Sequence, residues 1–75
     1  MIIADHEYLC IRSVVMDDGE IDFTEGFVYD AVERGGGLVN DHGEDHWITS
    51  EFARKHFIDL DEIEGSFYFN DKKIK

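Results

Sequence analysis

The chain has no proline, a single cysteine and few bases. Each scarcity excludes something. With no proline and no Ser/Gly-rich stretch, nothing divides the 75 residues, and one domain spanning 1–75 is expected. Cys10 alone cannot form an internal disulfide, nor can it supply the several thiolates of a common structural zinc site. It sits in an apolar run and reads as a small buried thiol in a reducing cytosol. No apolar run approaches the length of a membrane span, and no stretch has the pattern of a secretory signal. A soluble, cytoplasmic protein is therefore expected.

Seven bases stand against eighteen acids, a net charge of −11. Direct contact with a nucleic-acid backbone is excluded on that ground, because such contact needs Lys and Arg to displace counterions. Anionic membrane surfaces are disfavoured for the same reason. The partner this charge favours is a protein with a basic surface.

What the chain does have is aromatic mass and short β patterns. Hydrophobic residues make up 43%, with six Phe, three Tyr and one Trp, so it can bury a thin core. Tyr8–Met16 (YLCIRSVVM) is rich in β-branched residues and predicts a first long strand, ended by the Asp17-Asp18-Gly19-Glu20 turn. Ile21 and Phe23 flank Asp22 with a period of two, which predicts a short half-buried strand. Phe27–Glu33 follows as a strand after the Thr24-Glu25-Gly26 break. Arg34 to Gly37 (RGGG) predicts a hairpin tip, with no phosphate-loop pattern after it. Leu38–Asp41 and His46–Thr49 are expected to be strands joined through His42-Gly43-Glu44. Thr49 or Ser50 would cap one helical or 3₁₀ turn reaching His56, with Phe52 and His56 inward. Phe57-Ile58 would re-enter the sheet, and one more strand is expected near Phe67–Phe69. Short strands spaced by Gly and Asp turns point to a mostly β, small SH3-like five-stranded barrel. Its core would cover about 8–58, with a C-terminal extension at 59–75.

The segments YLCIRSVVMDDG, FTEGFVYDAV and NDHGEDHWI, followed by a polar turn ending in KHF, resemble small proteins of unknown function that recur in bacteriophage and prophage genomes. Phe23, Gly26 and Tyr29 match one signature of that group, and Asp41, Gly43 and His46 match another. The resemblance covers roughly residues 8–58. It implies the SH3-like fold and the cytoplasm of an infected bacterial host, and it carries no activity across. The chain departs from the group in its greater acidity and in the tail after Ile58.

These residue types point to three chemistries. The octet NDHGEDHW (Asn40–Trp47) holds two histidines four apart, and His42 and His46 with Asp45 or Asp41 would suit zinc across a hairpin. The turn composition favours a plain hairpin with no metal and no cofactor. Catalysis is not expected: Cys10 has no basic neighbour to make a thiolate, and Ser13, Ser50 and Ser66 stand in no motif. The acidic pattern remains. Asp17, Asp18, Glu20, Asp22 and Glu25 fall in one run without a base, and Asp59, Asp61, Glu62 and Glu64 in another. On a strand, alternate carboxylates stand about 6.6–6.8 Å apart, comparable with phosphates rising ~3.4 Å apart along a DNA strand. The expected function is a non-catalytic, phage-encoded inhibitor that occupies the nucleic-acid-binding surface of a host protein as a nucleic-acid mimic. Those nine carboxylates would carry the charge, with Trp47 and Tyr68 as anchors. The alternative is a structural module that pairs through a sheet edge at Leu38–Asp41 or Phe67–Phe69, including with its own copy.

Overall fold

A computed structural model describes all residues, Met1–Lys75. Strand β1 (Glu7–Cys10) is the centre of the fold. Tyr8, Leu9 and Cys10 are all buried, so neither face of β1 meets water. That is consistent with its place between two partners. Antiparallel to it lie β4 (Val28–Asp30), with Tyr8 opposite Tyr29, and β7 (Phe57–Asp59), with Cys10 opposite Phe57.

The predicted long strand at Tyr8–Met16 is broken. Ile11–Ser13 bends, and β2 (Val14–Val15) leaves to pair with β3 (Ile21–Phe23) as a separate hairpin. The bend is pinned at Arg12, whose carbonyl faces His56 Nδ1 at 2.9 Å and accepts from Cys10 Sγ at 3.1 Å. Backbone pairing with β1 continues past Cys10 through Ile11 N–H to the His56 carbonyl.

β5 (Gly37–Val39) and β6 (Asp45–Trp47) form the next hairpin. An Ala31–Leu38 bridge ties β5 to the end of β4. Strands therefore follow one another in space as β7, β1, β4, β5, β6. No backbone pairing joins β6 to β7, and the ladders do not close a ring. The protein is mostly β, in several small sheets, as the residue pattern predicted, with more and shorter strands than the expected five.

Between β6 and β7 lies α1 (Ser50–His56). Thr49 is its cap: Phe52 N–H donates to Thr49 Oγ1 at 3.2 Å. Phe52 and His56, one turn apart, stack at 4.4 Å between ring centres. Phe23 is the middle of the core. It meets Tyr29 and Phe57 edge-on at 4.9 and 5.1 Å, a favourable ring geometry. Ile2, ahead of the expected core boundary, is buried as fully as Leu9 and Leu38, and its carbonyl accepts from Gly36 N–H.

The residues after Ile58 are not a loose extension. β7 runs on to Asp59, a 3₁₀ turn (Leu60–Glu62) buries Leu60, and β8 (Tyr68–Phe69) pairs with β9 (Lys72–Lys73). The tail folds back so that Lys75 Nζ donates to the Leu60 and Ile63 carbonyls. No helix is long and apolar enough to cross a membrane.

Candidate binding pole and its carboxylate–imidazole cluster

The octet Asn40–Trp47 is a hairpin. Asn40 is buried, and its Oδ1 accepts from His42 N–H at 3.0 Å and Glu44 N–H at 2.9 Å. A side-chain acceptor satisfies two turn amides that would otherwise lack a partner. Gly43 takes φ +78°, a conformation that favours glycine.

The tip of this hairpin meets the end of the β2–β3 hairpin. Asp41 N–H donates to the Asp22 carbonyl at 2.8 Å. Asp41 Oδ2 accepts from Thr24 Oγ1 at 2.8 Å, and Asp41 Oδ1 accepts from the Tyr29 hydroxyl at 2.5 Å. The same hydroxyl accepts from Thr24 N–H at 2.7 Å. Burial, and then the Asp41 carboxylate, push the Tyr29 phenol up to about 12. One hydroxyl thus joins three segments, and the hairpin that carries Asp17, Asp18, Glu20 and Asp22 meets the hairpin that carries Asp41 and Glu44.

Asp22 is buried where the two hairpins meet, with 8% of its surface exposed. Its Oδ2 stands 3.5 Å from His46 Nε2 and its Oδ1 stands 3.7 Å from His42 Nε2. Glu20 Oε1 is 3.5 Å from the same His42 nitrogen. The two histidines do converge, and the carboxylate between them is Asp22 rather than Asp45. Strand alternation is the reason. In β6, Asp45 and Trp47 point outward while His46 points in, edge-on to Phe23 at 5.5 Å. Asp45 forms no ion pair with either imidazole.

The second acidic run behaves differently. Asp59 Oδ2 is 2.8 Å from His6 Nδ1, Asp59 Oδ1 accepts from Asp61 N–H, and Asp61 Oδ2 accepts from Glu7 N–H at 2.8 Å. The hydrogen bond that His6 makes to the Asp59 carboxylate raises the His6 pKa above its ordinary 6.5. His6, Asp59 and Asp61 have donor atoms within 4.8 Å of one another, close enough to share a metal ion. Yet each of these donors is already engaged in tying the N-terminal segment to β7 and the 3₁₀ turn. Glu62 and Glu64 remain exposed and unpaired. No hydrogen bond or ion pair links this run to the hairpin pole.

Glu25 is exposed in the turn after β3, where its N–H is held by Ser13 Oγ. Trp47 is 65% exposed and its ring lies against Gly36, while Tyr68 is 60% exposed on β8. Trp47 and Tyr68 are on different hairpins. The edge expected at Leu38–Asp41 is not open: β6 covers one side, and the Ala31 bridge and the Asp22 contact cover the other. Cys10 is fully buried, and burial pushes its thiol up to about 11, which keeps it protonated.

Across the whole chain, one carboxylate pairs with a Lys or Arg, Glu51 with Lys55 at 3.3 Å on α1. What sequence reasoning missed is Glu44, the pairing of Asp41 with Tyr29 and Thr24, and the buried role of Asp22, because two distant hairpins had to be brought together to reveal them. Comparison with protein families, curated proteins and solved structures finds no match.

Proposed function

We propose that this protein is a non-catalytic, SH3-like binding module of phage origin. In this reading its acidic hairpin pole occupies the basic, nucleic-acid-binding surface of a host protein in the bacterial cytoplasm. The observation that carries the reading is the near absence of internal cations. Eighteen acids have a single Lys or Arg partner among them, so the pole's carboxylates are left for an outside one. Such a field steers a basic partner to the surface and sets the orientation in which it docks.

The pole also has apolar contact area. Val15 faces Ile21 across the β2–β3 hairpin, and both are exposed, at 58% and 46%, beside Met16 and the Asp17-Asp18 tip. Charge around exposed apolar side chains is the composition of a docking patch. The SH3-like assignment is supported by β1 pairing with both β4 and β7, by the hairpin-bearing loop between β1 and β4, and by a short helix before β7. The resemblance to phage proteins suggests the class of target: a defence nuclease, a repair enzyme, a nucleoid protein or RNA polymerase.

The test is capture from host lysate at low and high salt. The wild-type chain is compared with an Asp17→Lys, Asp18→Lys, Glu20→Lys variant, and duplex DNA is added as competitor. A nucleic-acid-binding protein that is released by salt, displaced by DNA and lost by the variant supports the reading. Capture that survives both the charge reversal and the salt overturns it.

A further inference from the structure

We propose that the groove between residues 26–28 and residues 72–74 binds a small monocarboxylate with an apolar aromatic body. Lys72 and Lys73 meet the carboxylate, and Phe27 meets the body. The proposal stands apart from the docking reading: it uses none of the carboxylates of that surface and is tested without a protein partner.

The first support is the composition of the walls. The groove encloses about 350 Å³ and is lined by Gly26, Phe27, Val28, Lys72, Lys73 and Ile74. That volume falls within the ~300–1,000 Å³ of small-molecule sites. In a chain of eighteen acids and seven bases, two bases line this groove and no acid does. Neither lysine has an ion-pair partner within the protein. The other two lysines are engaged, Lys55 by Glu51 and Lys75 by the Leu60 and Ile63 carbonyls.

The second support is exposed apolar surface in the same place. Phe27 is 57% exposed and Val28 40%. A Cβ built on Gly26 would meet no atom within 4 Å, so the space over that residue is open. An aromatic ring laid there finds the Phe27 ring for offset or edge contact, and the apolar stems of the two lysines extend the surface. Single exposed hydrophobic residues are ordinary, but these adjoin unpaired cations in one concavity.

The third support is that the fold holds both walls. Gly26 N–H donates to the Cys10 carbonyl at 2.7 Å, and Cys10 N–H donates to the Phe27 carbonyl at 2.9 Å, so one wall hangs on the buried central strand. On the other side, Ile74 N–H donates to the Phe67 carbonyl at 2.9 Å, and Lys75 Nζ donates to the Leu60 carbonyl at 2.7 Å. A groove formed before binding needs little ordering when it fills.

The charge of the ligand follows from two opposing fields. Two ammonium groups attract an anion locally. The net charge of −11 repels it, over a range that salt cuts to about 8 Å at physiological ionic strength. A single carboxylate takes the local attraction at less long-range cost than a phosphate dianion. It also suits lysine, a compact point charge with three donors.

The experiment titrates the isotope-labelled full chain with naphthylacetate, followed by amide chemical shifts, with naphthylethanol as the neutral counterpart. Saturable one-to-one binding with a dissociation constant of about 1 mM or lower is expected. The largest shifts should be confined to residues 26–28 and 72–74. The alcohol should bind about tenfold more weakly, the low end for losing a hydrogen bond to a charged group. A Lys72→Gln, Lys73→Gln variant should lose a similar factor, and Phe27→Ala should weaken binding as well. Lys55→Gln on α1 should leave affinity unchanged, and far-UV circular dichroism checks that each variant folds. The alcohol comparison uses the wild type, so it reads the part played by the lysines whatever the variants do. No saturable binding overturns the proposal. So do shifts centred elsewhere, as at the smaller cavity beside Arg54 and Phe57. Equal affinity for acid and alcohol, or unchanged affinity in the double-lysine variant, overturns it too.

Discussion

The Tyr29 hydroxyl donates to Asp41 Oδ1 at 2.5 Å while it accepts from Thr24 N–H, so one side chain of β4 holds the two acidic hairpins against each other. Tyr29 is buried, and Asp41 carries a charge that no base offsets. The pole's geometry therefore depends on a neutral donor rather than on an ion pair.

Tyr29→Phe tests that dependence. It keeps the ring against Phe23 and removes only the hydroxyl, leaving Asp41 one donor short and Thr24 N–H without its acceptor. A loss of about 1.5–3 kcal/mol is expected, the range for a hydrogen bond to a charged group. Urea unfolding should show a lower midpoint with an unchanged slope.

Alkaline titration should find the same phenol. Its folded pKa of about 12 lies above the ordinary 10.0. Between those values the folded chain holds a proton that the unfolded chain has released, so stability falls as pH rises through that window and is intact below it. Followed by phenolate absorbance, a component titrating near 12 should be present in the wild type and missing from Tyr29→Phe.

His6 gives a second pH dependence near neutrality. Its folded pKa is raised, so the contribution of its contact with Asp59 is complete below 6.5 and is lost as pH climbs through the folded value. His6→Ala should therefore lower the urea midpoint more at about pH 5.5 than at about pH 8.5. An equal loss at both values would show that the proton plays no part.

Cys10 should be inert. With the thiol pushed up to about 11 and no exposed surface, iodoacetamide at neutral pH should leave the folded chain unmodified. In denaturant, modification should be complete. Labelling of the native protein would show that β1 opens.

Gly37→Ala probes how tightly β5 and β6 approach. A Cβ at that position would lie 2.6 Å from the His46 carbonyl oxygen, which is backbone and cannot rotate away. Overpacking of this kind costs about 1–3 kcal/mol.

Local signals were strong where the chemistry is local. The Asp-Asp-Gly-Glu turn, the octet's hairpin and the Thr49 cap each depend on residues within a few positions, and all three form. Reentry at Phe57-Ile58 and a late strand near Phe67–Phe69 form as well. Tyr8–Met16 misled because β-branched residues favour a strand without specifying a single straight one. The His56–Arg12 contact, across 44 positions, holds the bend from outside the local segment.

The amino-acid sequence by itself determined a mostly β chain with an acid excess and a hairpin at Asn40–Trp47, since propensity, turn chemistry and charge are properties of neighbouring residues. The tertiary structure alone decided that Asp22, and not Asp45, stands between His42 and His46, and that Asp59 and Asp61 are tied into the fold. Those outcomes depend on which segments lie side by side, and that is settled by burying Phe23, Tyr29 and Phe57 together.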